Sequence, residues 1–147
     1  MMKTINQIKI GDEAFQLKTI TEKDVEMFGE VTNDMNPVHF DSEYASKTMF
    51  KKRISHGMLV GSLFSKVFGM QLPGEGSIYI SQSLHFRRPV FLGEEIKAVV
   101  TVKEMNVEKN RVYFDCVAYN QDGEKVVIGE AEMMPPKAWM SLNPLKK

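Results

Sequence analysis

Residues 34–65 read DMNPVHFDSEYASKTMFKKRISHGMLVGSLFS. The stretch holds His39 and His56 of the chain's three histidines, an Asn36-Pro37 turn, a His56-Gly57 pair and the start of an apolar helix. That helix decides the fold. From Gly57 to about Gln71, Met58, Leu59, Val60, Leu63, Phe64, Val67, Phe68 and Met70 leave almost no polar face. Such a helix has to be wrapped by other elements. Gly57, Gly61, Ser65 and Gly69 recur every fourth position and form a small-residue stripe, along which backbone or a ligand can come close.

The wrapping lies downstream. Segments 77–87, 95–107, 110–121 and 124–134 read as strands. Ile78, Ile80, Gln82, Leu84 and Phe86 alternate with Tyr79, Ser81, Ser83 and His85, which places His85 on the surface or in a groove. Ile96, Ala98, Val100 and Val102, then Val112, Phe114, Cys116 and Ala118, repeat the pattern. This period of two predicts an antiparallel sheet with one buried face. Gln121-Asp122-Gly123 is a hairpin turn, and Pro135-Pro136 ends the last strand.

Upstream, residues 5–20 read as two short strands around Gly11-Asp12. Thr21 reads as the N-cap of a helix over 22–33, with Val25, Phe28 and Val31 as its apolar stripe. A short helix over 42–49, capped by Ser42, is expected to turn Tyr44, Ala45 and Met49 inward. The class is therefore α+β, a central helix inside a curved antiparallel sheet. Residues 1–136 form the expected single domain, and 137–147 a short tail carrying Trp139. One small sheet leaves edges to cover, so a homodimer is expected.

Composition narrows the function classes. The 147 residues suit one domain. Nineteen basic and nineteen acidic residues cancel, which argues against a nucleic-acid surface. The apolar segments are too short for a bilayer span. The N-terminal stretch carries Lys, Asp and Glu and does not read as a signal peptide. Cys116 is the only cysteine, so no intrachain disulfide forms, as expected of a cytoplasmic protein.

Pro37 disfavours helical geometry at Asn36. Asp34 and His39, five residues apart, would diverge on a helix but converge across this turn. A carboxylate and an imidazole held together can share proton transfer near neutral pH. Asn36 is expected to shape the loop through side-chain-to-backbone bonds. Gly57 opens the central helix, where backbone N–H groups lack partners and face the positive end of the helix dipole. His56 is expected to orient that turn or bond to backbone. Taken singly, each of these residues also has a plain structural use as cap, turn or packing residue. Asp34, His39, Asp41 and His56 match no standard zinc spacing, and neither metal nor cofactor is expected.

Asp34-x-Asn36-Pro37-x-His39-x-Asp41 followed by His56-Gly57-Met58-Leu59 resembles the hydratase signature of the MaoC-like, (R)-specific enoyl-CoA hydratases. Leu72-Pro73-Gly74-x-Gly76-Ser77 and Phe86-x-x-Pro89-Val90 are similar to the same family, so the likeness runs from about residue 5 to 135. It implies the hot dog fold. It also implies syn hydration of a trans-2-enoyl-CoA to the (R)-3-hydroxyacyl-CoA, as in hydratases that supply polyhydroxyalkanoate synthesis. Asp34 and His39 would be the catalytic pair and the Gly57 amide the oxyanion donor. Ser65 matches a serine near the pair. The substrate implied is an acyl-CoA thioester. Two alternatives stand beside this reading. A hot-dog thioesterase would often carry an acidic residue on the central helix, and 57–71 has none. A non-catalytic acyl-CoA-binding protein would not need Asp34 and His39 intact. Lys51, Lys52, Arg53, Arg87 and Arg88 read by default as solvated surface. Tyr79 and Phe50 read as core, with an acyl tunnel as their other use.

Overall fold

The computed structural model describes residues 2–137. The tail beyond, including Trp139, lies outside the described residues. The chain begins with a 3-10 turn, Ile5–Gln7, and then strand β1, Glu13–Thr19. The expected first strand is therefore a helical turn. Thr4 caps it, with Gln7 Oε1 accepting from the Thr4 N–H at 3.0 Å. Helix α1, Glu22–Thr32, starts as expected: Asp24 N–H donates to Thr21 Oγ1 at 3.1 Å, and Thr21 N–H donates to the Asp24 carboxylate at 2.9 Å. It ends at Asn33, whose φ of 63° is left-handed, a conformation asparagine tolerates. Val25 is buried, but Val31 is exposed, so the stripe is narrower than expected.

Two short helices follow, α2 at Pro37–Phe40 and α3 at Ser42–Ser46. Asp41, not Ser42, caps α3, accepting from Tyr44 N–H at 3.0 Å. Of its three expected inward residues only Ala45 is buried; Tyr44 and Met49 face outward. The central helix is split at Ser62 into α4, Gly57–Gly61, and α5, Leu63–Met70. Phe64, Val67 and Phe68 of α5 are fully buried.

Strands β2 (Ile78–Gln82), β3 (His85–Phe86), β4 (Glu95–Asn106), β5 (Arg111–Tyr119) and β6 (Lys125–Met134) complete the sheet. Its order is β1-β4-β5-β6-β2, all antiparallel, with β3 also on β6. The alternation in β4 and β5 is as expected: Ile96, Ala98, Val100 and Val102, with Val112, Phe114, Cys116 and Ala118, are buried against the helix. Phe68 meets Phe114 edge-on with centroids 4.8 Å apart. Register shifts at Val102/Glu104, Ala118/Tyr119 and Tyr79/Ser81 bend the sheet, since a bulge curves the strand that carries it. A curved sheet around a central helix is the hot dog arrangement. The segment 77–87 departs from expectation. It breaks into β2 and β3, and Ile78, Tyr79, Ile80 and Phe86 stay 40–52% exposed, so the described residues cover β2 only in part, with Phe68 meeting Tyr79 edge-on.

Candidate active site

The turn after α1 is built from its own side chains. Asp34 Oδ1 accepts from Asn36 N–H at 3.2 Å, and Asn36 Oδ1 accepts from Val38 N–H at 3.4 Å, capping α2. Pro37 takes the first position of that helical turn, where a missing N–H costs nothing. His39 therefore projects from a short rigid helix back toward Asp34. Residues 54 and 55 hold it from the other side. Its Nδ1 lies 2.7 Å from the carbonyl of Ile54, while Ile54 and Ser55 N–H donate to Val38 O at 3.3 Å and Val90 O at 2.7 Å.

A carbonyl oxygen only accepts, so His39 Nδ1 carries the proton and Nε2 is the ring's free base. His56 is set the opposite way. Its Nε2 lies 3.0 Å from the backbone carbonyl of Asp34 and so donates, which leaves Nδ1, buried and without a partner, as the unprotonated nitrogen. As expected, His56 bonds to backbone. Sequence reasoning missed its contact with His39: the rings stack obliquely, centroids 4.0 Å apart and planes 33° from parallel. Phe28 and Phe40 close around His56 at 4.8 and 5.6 Å. Burial is the main cause that holds His39 below the usual histidine pKa; the nearby His56 ring acts the same way, against the Ile54 carbonyl and Asp34.

A carboxylate oxygen of Asp34 and one ring nitrogen each of His39 and His56 lie within 4.8 Å of one another. The spacing alone suits a divalent cation. The stacking does not, because imidazole lone pairs lie in the ring planes, and rings laid face over face with centroids 4.0 Å apart and a 33° tilt do not aim at one ion. The arrangement suits proton exchange better.

These residues face a cavity of about 560 Å³. Met49, Phe50, Ile54, Met58, Val60 and Phe86 supply most of its apolar wall. Gly57 borders it at the start of α4. A Cβ there would sit 2.9 Å from the ring of Phe86, so only glycine lets the ring approach this closely. Structure thus brings Asp34, His39, Gly57 and, through the turn, Asn36 together. It places Ser65 on a different, smaller depression beside Tyr79 and Gln82. Tyr79 lines that depression too and not the main cavity. Arg53 is no free surface cation: Nε donates to His39 O at 2.8 Å and Nη1 to Glu22 at 2.9 Å, tying α1 to the His39 turn.

The chain belongs to the MaoC-like dehydratase family, whose domain description, MaoC like domain, matches residues 7–120. It is 43% identical over 129 residues to an (R)-specific enoyl-CoA hydratase of Rhodospirillum rubrum, covering 88% of this chain and 89% of that one. It is 39% identical over 132 residues to a mitochondrial 3-hydroxyacyl-[acyl-carrier-protein] dehydratase of Arabidopsis thaliana, covering 88% and 78%. Among solved structures, an unliganded (R)-hydratase of Pseudomonas aeruginosa superposes with a TM-score of 0.87 at 44% identity, covering 91% and 86%.

Proposed function

We propose that this protein is an (R)-specific enoyl-CoA hydratase, a hydro-lyase that adds water reversibly across the double bond of a trans-2-enoyl-CoA. The observation that carries the reading is the bond of His39 Nδ1 to the Ile54 carbonyl, which leaves Nε2 as the free base of a ring with a nitrogen within 4.8 Å of an Asp34 carboxylate oxygen. In the proposed reaction Asp34 holds the water and His39 Nε2 takes its proton as the oxygen bonds to C3. The π electrons move to C2 and the thioester oxygen. The Gly57 N–H, unpaired at the helix start, stabilises that oxygen. The imidazolium, steadied by Asp34, returns a proton to C2, restoring the thioester and the neutral ring. Both atoms come from the one cavity face that carries the pair, so addition is syn. Asn36 supports the turn. Ser65, which lines the other depression, has no step in this sequence.

The similarity to named (R)-specific hydratases supports the stereochemistry. An apolar cavity supports an acyl chain, and supply of hydroxyacyl monomers for polyhydroxyalkanoate is the metabolic use implied. Residues 1–136 act as one domain in this reading. A homodimer is its assembly: β2 lies at a sheet edge with Ile78 and Ile80 exposed, the kind of edge proteins cover. No helix among the described residues is long and apolar enough to cross a membrane. A cytoplasmic site fits the free, buried Cys116.

The test is hydration of crotonyl-CoA, followed by loss of enoyl-thioester absorbance, with the product scored by (R)- and (S)-specific dehydrogenases. Wild type is expected to make the (R) product. Asp34→Asn and His39→Ala, folded by circular dichroism, are expected to lose about 10²- to 10⁴-fold in kcat, the usual worth of positioned acid–base groups. Free thiol in place of hydration would identify a thioesterase, and neither product would leave a binding protein.

A further inference from the structure

The cavity that holds Asp34 and His39 is bounded on one side by Arg87, Arg88 and Pro89. The same three residues wall a second depression, completed by Glu124, Lys125 and Ile128. The two spaces share this rim. Its backbone is anchored to β6: His85 and Phe86 pair with Ile128 and Val127, and Arg87 N–H donates to Val126 O at 2.8 Å. Pro89 restricts Arg88 further.

Charge is uneven here although the whole chain is neutral. The depression carries three cations, Arg87, Arg88 and Lys125, and one carboxylate, Glu124. Glu124 is already occupied, with one oxygen 3.2 Å from Arg88 Nη1 and the other accepting from Asn120 Nδ2 at 3.0 Å. Arg87 and Lys125 have no acidic partner among the described residues. Exposed cations left unpaired beside the mouth of an apolar cavity suit a ligand with an apolar end and an anionic end. Guanidinium groups match phosphate in particular, through paired N–H donors in a planar fork.

We propose that Arg87, Arg88 and Lys125 form a phosphate subsite at the cavity mouth, which takes the phosphates of CoA while the acyl end reaches Asp34 and His39. This rests on the hydratase reading and specifies how its substrate is held. Phosphate at the end of a pantetheine arm has two sources, free CoA and the phosphodiester of a carrier protein. The rim favours CoA, whose diphosphate and ribose phosphate match several cations. An acidic carrier would need a broad basic face, and here Glu124 sits within the patch and the chain has no net charge.

The experiment compares kcat/KM for crotonyl-CoA and crotonyl-pantetheine, which share the arm and differ in the phosphates. Wild type is expected to prefer the CoA thioester by about tenfold or more, the worth of one or two charge-assisted hydrogen bonds, mainly through KM. Arg87→Ala/Arg88→Ala is expected to lose most of that preference, and Arg87→Lys/Arg88→Lys to keep part of it. The preference is a ratio within one preparation, so partial misfolding does not imitate its loss. An unchanged ratio in the alanine variant overturns the subsite while leaving the hydratase reading intact. Crotonyl carrier protein is the third substrate; a defect confined to it overturns the assignment to CoA. Calorimetric titration with CoA alone tests the subsite without any reaction. There the alanine variant is expected to bind about tenfold more weakly, and equal affinity overturns the proposal even if no thioester is hydrated.

Discussion

The imidazoles of His39 and His56 stack at 4.0 Å, each with one nitrogen tied to a backbone carbonyl: His39 to Ile54, His56 to Asp34. The two bonds join three separate stretches, the turn after α1, helix α2 and the start of α4. His56 is thereby a positioning residue for the pair, holding the backbone under Asp34 and one face of His39.

Replacing His56 with Ala removes the donor from the Asp34 carbonyl and the ring that stacks on His39. The expected cost is about 1–3 kcal/mol. At roughly 2–4 °C per kcal/mol for a chain of this size, thermal melting should show it clearly. The kcat is expected to fall about tenfold. His56→Gln, which keeps an N–H donor, should recover part of the melting temperature. Unchanged melting and kcat in the alanine variant would show that the stack supports nothing.

The acid side of the pH–rate profile should reflect His39. Burial, with help from the His56 ring, holds its pKa below the ordinary 6.5. The free base is then already present at pH 6.5, and the acid limb of kcat/KM is expected below that value. Stability follows the same sign. The unfolded chain binds this proton more readily, so the contribution is present above pH 6.5 and is lost as pH falls through the folded value. NMR titration of the His39 ring checks both, and a midpoint above 6.5 would contradict the burial argument.

Gly129 on β6 lies against the carbonyl of Ser83, and an added Cβ would fall 1.9 Å from that oxygen. Backbone has to move, because the clashing atoms are the Ser83 carbonyl and not the end of a flexible side chain. Gly129→Ala is expected to destabilise by about 3 kcal/mol, near the upper end for overpacking. Gly57→Ala meets the half-exposed ring of Phe86, which can swing away. Its effect should fall on KM and kcat more than on melting. Denaturant unfolding of the two variants tests the contrast.

Cys116 sits in the buried face of β5, and desolvation pushes its thiol pKa up to about 12. Thiolate is the reactive form, so native protein should resist iodoacetamide at pH 8 and react fully once unfolded. Rapid native labelling, read by mass spectrometry, would mean that the sheet opens around β5.

Much was determined by the sequence alone. The near-continuous apolar run 57–71 and the period of two in 95–107 and 110–121 committed helix and sheet to each other, because each has surface only the other can bury. The Asp34–His39 pair was legible because proline and the side-chain caps make that turn a local structure. Local signals failed where partners are distant. Ile78, Ile80 and Phe86 carry a strand's alternation, yet burial depends on what lies opposite, and the described residues leave all three exposed. Met49 and Tyr44 look like core by type and lie outside. The stack of His56 on His39, the turning of Arg53 inward to His39 O and the placing of Ser65 on a different depression were decided only in the tertiary structure. Each depends on where segments 14 or more residues apart meet. Spacing along a chain sets geometry within one element, but contacts between elements follow from how the sheet curves around the helix.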